Sequence, residues 1–252
     1  MKYTNIIIVL FLVLASSCVS KQKMVYFGDK EGFIMKKTLR EYESTIQKDD
    51  LLNINVSATN GEAVMPFNIY ETPILGTGMG TTVKPLPYLV NAEGEINFPV
   101  LGKLKVTGIT TDALSVLLVQ KLSEYITKPI VNITTTNFKI TVLGEVNRPG
   151  TYSIENKRIT MLEALGLAGD LTINGNRVNI TLIRENDGRR VFIPIDITSK
   201  ELFNSRFYYL AQNDVIYVEP NKSKINSSAV GPNTSIIFTS IATLISIIAI
   251  LR

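Results

Sequence analysis

Between Lys224 and Arg252 the chain carries no charged residue, and from Ile236 to Leu251 it is almost entirely apolar. Few structures accommodate such a run. As a helix from Pro232, a good first-turn residue, it would extend about 30 Å at 1.5 Å per residue, matching a bilayer's hydrocarbon core. Residues 232–252 are therefore expected to form a C-terminal transmembrane helix. Its polar side chains are not scattered. On a 100° wheel Ser235, Thr239, Thr243 and Ser246 fall within about 80° of one another. Ala242 and Ala249 flank that stripe, and Ile241, Ile245 and Ile248 lie roughly opposite Ser235. Such a helix meets lipid broadly and turns a narrow seam towards a neighbouring helix or pore water. The competing reading is a single-pass anchor whose hydroxyls bond back to their own helix.

The other end is also apolar, but shorter. Lys2 precedes an unbroken apolar run from Ile6 to Leu14. A bilayer span needs about 20 residues, so this run fits the core of a secretory signal. Ala15, Ser16, Ser17 and Cys18 follow, a stretch that resembles a bacterial lipobox with Ala15 where Leu is commonest. Residues 1–17 are then a lipoprotein signal peptide, and Cys18 is the acylated first mature residue. Acylation accounts for an exported chain with a single cysteine. An ordinary signal peptide beside a chance cysteine is the alternative. Val19 and Ser20 come next rather than Asp, so outer-membrane retention is expected, with the body in the periplasm.

What lies between is globular in composition. Of the 252 residues, 45% are apolar and 19% charged, enough for a buried core. The net charge of +4 is too small to suggest a nucleic-acid partner. With no histidine and one cysteine, His-based catalysis, His-ligated metals and thiolate cages are excluded. No cofactor or metal site is expected, nor a catalytic one. The nearest carboxylate pair, Glu93 and Glu95, flanks a turn glycine and reads as solvated.

Residues 18–41 are mixed and charged, a tether. Leu52, Ile54 and Val56 alternate with polar residues, a half-buried strand. Residues 59–85 read as loop, including Asn60-Gly61 and the glycines at 76, 78 and 80, which lack the Lys-Ser/Thr partner of a phosphate loop. Short strands follow at Tyr88–Val90, Glu95–Pro99 and Lys103–Val106. A helix capped by Thr110 or Thr111 presents Leu114, Leu117, Leu118, Leu122 and Tyr125 on one face. Pro129 ends it and opens a strand with Val131, Ile133 and Thr135 on one side. A second unit starts at Phe138, with Phe138, Ile140 and Val142 alternating and Thr151–Ile154 returning. Thr160 and Glu163 spell a capping box, and Gly169 supplies the helix C′ residue. A hairpin turns at Asn186-Asp187-Gly188, and Asp214–Val218 is a last strand. This order suits a small mixed sheet over one helix, a β-grasp arrangement, within an α+β chain.

These motifs resemble the outer-membrane polysaccharide export family. Asp50-Leu51-Leu52-Asn53-Ile54-Asn55-Val56 is similar to its opening strand, with Asp49 in place of the usual preceding Gly. Gly94-Glu95-Ile96-Asn97-Phe98-Pro99-Val100-Leu101-Gly102 is similar to its G-x-I-x-x-P-x-x-G, continued by Val106-Thr107-Gly108-Ile109-Thr110. Pro129-Ile130-Val131-Asn132-Ile133 is similar to its closing strand. Val142 to Val146 and Arg148-Pro149-Gly150-Thr151-Tyr152 resemble the start of the soluble-ligand-binding (SLBB) β-grasp module. Thr160 to Asp170 resembles that module's helix, with Asp170 where a second Gly is common.

The resemblance implies an export domain over 42–137, one SLBB-like β-grasp domain over 138–222, and the terminal helix. It implies a homo-oligomeric ring, an octamer in the family, that passes polysaccharide through an α-helical pore in outer-membrane lipid. An inner-membrane polysaccharide co-polymerase or tyrosine kinase is the implied partner. There is room for one β-grasp module only, so a shorter periplasmic stack is expected. The rival is a non-pore envelope lipoprotein whose β-grasp domain binds a soluble ligand or partner.

Overall fold

The computed structural model describes residues 25–28, 44–70, 85–186, 188–229, 239–240, 242–244 and 246. Two hydrophobic cores divide the main body. The first gathers side chains from Ile46 to Ile133 and the second from Phe138 to Val218.

In the first unit, β1 (Leu51–Ser57) lies between β2 (Tyr88–Leu89) and β5 (Ile130–Thr135), antiparallel to both. Leu52, Ile54 and Val56 point inward as their alternation predicts, opposite Thr135, Ile133 and Val131 in register. The hairpin of β3 (Glu95–Phe98) and β4 (Gly102–Lys105) carries the glycine–proline motif. Gly94, at φ 78°, has no room for a side chain, because a Cβ there would lie 2.0 Å from Thr107 Oγ1. Asn60 does not begin a bare loop. Its side chain accepts from Glu62 N at 3.0 Å and caps a short helix, α1 (Gly61–Val64), which runs into a 3-10 turn over Met65–Phe67. The Asn-Gly pair therefore starts a helix where loop was expected. Gly76, Gly78 and Gly80 lie outside the described residues.

Helix α2 (Thr111–Leu122) is capped by Thr110, whose hydroxyl accepts from Ala113 N at 3.1 Å. It buries Leu114, Leu118 and Leu122, keeps Leu117 partly covered, and packs on β5, where Ser115 donates to Val131 O at 2.6 Å. Tyr125 does not extend this face. It is 56% exposed, and Ile126 is buried in its place. The helix stops at Leu122, and the turn that closes with Ile126 N on Leu122 O at 2.8 Å rotates the next apolar position inward by one residue.

The second unit is a five-stranded mixed sheet in the order β7-β6-β10-β8-β9. Its strands are β6 (Lys139–Gly144), β7 (Gly150–Ser153), β8 (Gly175–Asn186), β9 (Arg189–Ile195) and β10 (Val215–Pro220). Only the central β6–β10 pairing is parallel. Gly144, at φ 90°, lets β6 pass close to β10: a Cβ there would sit 2.0 Å from the Val218 carbonyl oxygen. Helix α3 (Met161–Leu167) packs against β6 and buries Met161, Ala164 and Leu165. Its capping box is complete, with Glu163 N bonded to Thr160 Oγ1 and Thr160 N bonded to Glu163 Oε2. Its far end is a Schellman closure. Gly169, at φ 74°, donates to Gly166 O, and Asp170 donates to Leu165 O at 2.8 Å.

The Arg148-Pro149-Gly150 motif also has a mechanical reading. Asn147 and Arg148 reach the end of α3: Arg148 N donates to Ala168 O, Arg148 Nη2 to Leu167 O, and Asn147 Nδ2 to Gly169 O. Tyr152 braces that turn by donating to Arg148 O. The positions where Asp replaces a usual glycine, Asp49 and Asp170, are both left-handed, at φ 65° and 68°. Aspartate tolerates that region better than most residues.

Two departures concern the ends. Residues 25–28, expected within the tether, pack on the second core. A helix, α4 (Lys222–Ala229), follows β10 directly, before the expected terminal helix.

Candidate functional site

Where the two units meet, hydrogen bonds bind them together. Asn137 sits at the crossover. Its Oδ1 accepts from Leu51 N at 2.9 Å and its Nδ2 donates to Asp49 O at 2.8 Å, tying it to the first unit. From the second unit, buried Gln212 donates to Asn137 O and accepts from Lys139 N, both at 2.8 Å. Two side-chain amides thus bridge from β1 to the connection leading into β10.

Beside this junction opens a cleft of about 780 Å³ between the units. The cap of α2 (Thr110 to Asp112), the segment Glu155 to Arg158, and the capping box of α3 all line it. Lys157 and Asp112 close one side as an ion pair at 2.7 Å across the units. Both side chains are more than half exposed, so the pair adds at most about 1 kcal/mol. Arg158 lies 5.5 Å above the Tyr209 ring.

At the first unit's side of the cleft lies Asp50, buried, its Oδ2 accepting from Gln47 N at 2.8 Å and its Oδ1 without a partner. Burial, and less strongly the neighbouring Asp49 charge, push its carboxyl up to about 6, against the opposing Gln47 hydrogen bond. Deeper in the second unit, buried Asp214 takes a two-pronged ion pair from Arg184, at 2.9 and 2.6 Å, and a bond from Ala211 N at 2.7 Å.

Three of the carboxylates in and around the cleft are engaged structurally. Glu163 serves the capping box, Asp112 faces Lys157, and Asp214 faces Arg184. Glu93 and Glu95 are elsewhere, Glu93 on the turn before β3 and Glu95 the first residue of β3, and the Glu93 carbonyl accepts from Lys105. Among the described residues no group of three His, Cys, Asp or Glu could hold a metal ion. The cleft is a hydroxyl-rich groove, lined by Thr45, Thr110, Thr111, Thr134, Thr135 and Thr160.

Of the residues singled out at the chain ends, Cys18 and Ser235 lie outside the described residues. Thr239, Thr243 and Ser246 are helical and exposed. Thr243 Oγ1 donates to Thr239 O at 2.7 Å, and Ser246 Oγ to Ala242 O at 2.9 Å. No helix among the described residues is long and apolar enough to cross a membrane; the rest of 232–252 lies outside them. Sequence reasoning did not single out Asn137 or Gln212. The signal was faint, two amides near the unit boundary with partners more than 70 positions apart.

Residues 39–136 match the family model described as polysaccharide biosynthesis/export protein, and residues 138–218 match the SLBB domain. The EPS I polysaccharide export outer membrane protein EpsA of Ralstonia solanacearum is 25% identical over 156 residues, covering 58% of this chain and 40% of that protein. EpsA of Ralstonia nicotianae is 26% identical over 154 residues, with the same coverage. The chain thus spans about two fifths of the length of the curated relatives it matches. The family is of transport type and not enzymatic. On the two successive matches, which together take in most of its length, the chain belongs to the polysaccharide export family, with an SLBB domain following its export domain.

Proposed function

We propose that this protein is a subunit of an outer-membrane translocon that exports capsular or secreted polysaccharide. One observation carries the reading: the export match and the SLBB match follow each other along a chain similar to outer-membrane polysaccharide export proteins. In this reading residues 1–17 are the signal peptide and Cys18 bears the lipid. The export domain spans 42–137, the β-grasp domain 138–222, and 232–252 forms a membrane helix. Copies form a ring with the body in the periplasm. Thr239, Thr243 and Ser246, with Ser235, line its pore or its helix–helix seam, and an inner-membrane co-polymerase or kinase supplies the polymer. A closed helical wall leaves no backbone group unsatisfied in lipid, and a hydrophilic polymer needs a wide wet passage rather than a tight pocket.

A second reading has one observation in its favour. Thr243 and Ser246 satisfy their hydroxyls on their own helix, as a lone helix in lipid requires. The protein is then a non-pore lipoprotein held by a plain anchor. Mass measurement of the full chain in mild detergent separates the two. A closed ring of many copies supports the translocon, and a monomer supports the anchor.

A further inference from the structure

Eight residues beyond Cys18, the chain touches the β-grasp unit rather than the export unit that follows it in sequence. Tyr26 is half-buried, and its phenol donates to Asp170 Oδ1. Burial, then this bond, hold the phenol well above its ordinary pKa. The Arg177 guanidinium lies 5.9 Å over the Tyr26 ring, with its Nε buried and without a hydrogen-bond partner. Phe27 packs its ring 4.8 Å from Phe203. Its backbone is left-handed, at φ 50°, a conformation that persists only where contacts impose it. Gly28 N then donates to Thr198 O at 3.3 Å. A phenol, a ring and a main-chain amide are thus each matched by a separate partner.

The same surface receives the other end of the chain. Asn221 donates from its main chain to Asn174 O at 2.7 Å and from its side chain to Ile173 O at 3.2 Å. Its Oδ1 accepts from Lys224 N at 2.9 Å and so caps α4. The stretch 170–177 thus holds Tyr26 at Asp170 and Arg177, and the start of α4 between them.

We infer that Tyr26 and Phe27 are a clasp that fastens the N-terminal end of the chain to the 170–177 surface of the β-grasp unit, beside the point where the C-terminal segment leaves. Asp170, Arg177, Thr198 and Phe203 are its receptor, and the partner it fits is this chain's own segment 25–28. The consequence for anchoring rests on the reading that Cys18 is acylated. Unfastened, the lipid could stray about 90 Å from residue 44 on an extended chain; fastened, it stays within about 28 Å of Tyr26. The clasp therefore moves the anchor from the export unit to the β-grasp unit, and brings both membrane-directed ends to one surface.

Cysteine trapping tests this in the full membrane-bound chain. The Gly28–Thr198 backbone bond, at 3.3 Å, makes those residues neighbours, the first condition for a disulfide between them. A Gly28→Cys, Thr198→Cys pair should form an intrachain bridge under mild oxidant, and adding Tyr26→Ala with Phe27→Ala should slow bridging at least tenfold. Absence of the bridge, or bridging between copies instead, overturns the clasp. Hydrogen exchange on the unmodified chain reads the same contact without cysteines. The Gly28 amide should exchange at least tenfold slower than a free amide and lose that protection in Phe203→Ala. Free-amide exchange in the unmodified chain also overturns it. Palmitate labelling is scored in parallel: a closed clasp on an unlabelled chain removes the lipid reading and leaves the clasp standing.

Discussion

Replacing Gln212 by Leu tests whether the two units act as one body. The substitution keeps the side chain's volume and removes both of its bonds, leaving Lys139 N and Asn137 O without partners. Gln212 is only 7% exposed, so water reaches those groups poorly. Each orphaned group costs about 1–3 kcal/mol, and because both are part-buried the total should be about 2–4 kcal/mol. For a body of this size each kcal/mol moves Tm by about 2–4 °C, so a fall of roughly 5–15 °C is expected by calorimetry in detergent. Asn137→Leu removes the other half of the same bridge. The double variant should therefore cost at least about 0.5 kcal/mol less than the two single costs combined. A Gln212→Leu midpoint within about 2 °C of the parent, together with strict additivity, would refute the bridging role.

Three further outcomes follow from the same geometry. Arg184→Met strips the fully buried Asp214 carboxylate of its ion pair and should cost about 3–5 kcal/mol in denaturant unfolding, partly recovered by adding Asp214→Asn. Asp50 titrates near 6 when folded and near 3.8 when unfolded, so the native state holds its proton longer and this group's stability contribution falls as pH rises between those values. Asp50→Asn should remove that dependence, raising Tm relative to the parent at pH 7.5 but not at pH 4. On the proposed pore wall, which lies largely outside the described residues, Ile245→Arg would meet lipid at a cost of about 2.5–3.5 kcal/mol per copy and should abolish membrane-inserted oligomer. On the same proposal Thr243→Arg would keep its charge in lumen water and should be milder, whereas equal loss in both would remove the pore-wall assignment.

Alternation and capping carried most of the fold into the sequence. Leu52, Ile54 and Val56, or Ile140 and Val142, announce their strands because one face is buried and a slip of one residue would invert it. Thr160 and Glu163 announce α3 because both halves of the capping box lie within four residues. Local signals failed where the chain changes direction. Tyr125 follows the helical period, but the helix ends three residues earlier and Ile126 takes the inward place. Asn60-Gly61 carries turn chemistry that serves equally as a helix cap. Helix α4 has no apolar face to give it away; Asn221, gripped by residues 173 and 174, starts it. The least legible features were contacts between distant segments, Gln212 with Asn137 and Tyr26 with Asp170, because neither partner carries a local mark. In the sequence Asp170 stands out only as a replaced glycine, yet its side chain holds the N-terminal segment.

Polysaccharide export is the role proposed for the two successive domains. The most direct measurement is cell-surface glycan in a clean deletion strain, in a background without a second copy of the family and with the synthesis enzymes intact. Loss of surface capsule or secreted polysaccharide, restored by the intact gene, is the predicted result. Surface glycan at parental levels in the deletion would contradict it.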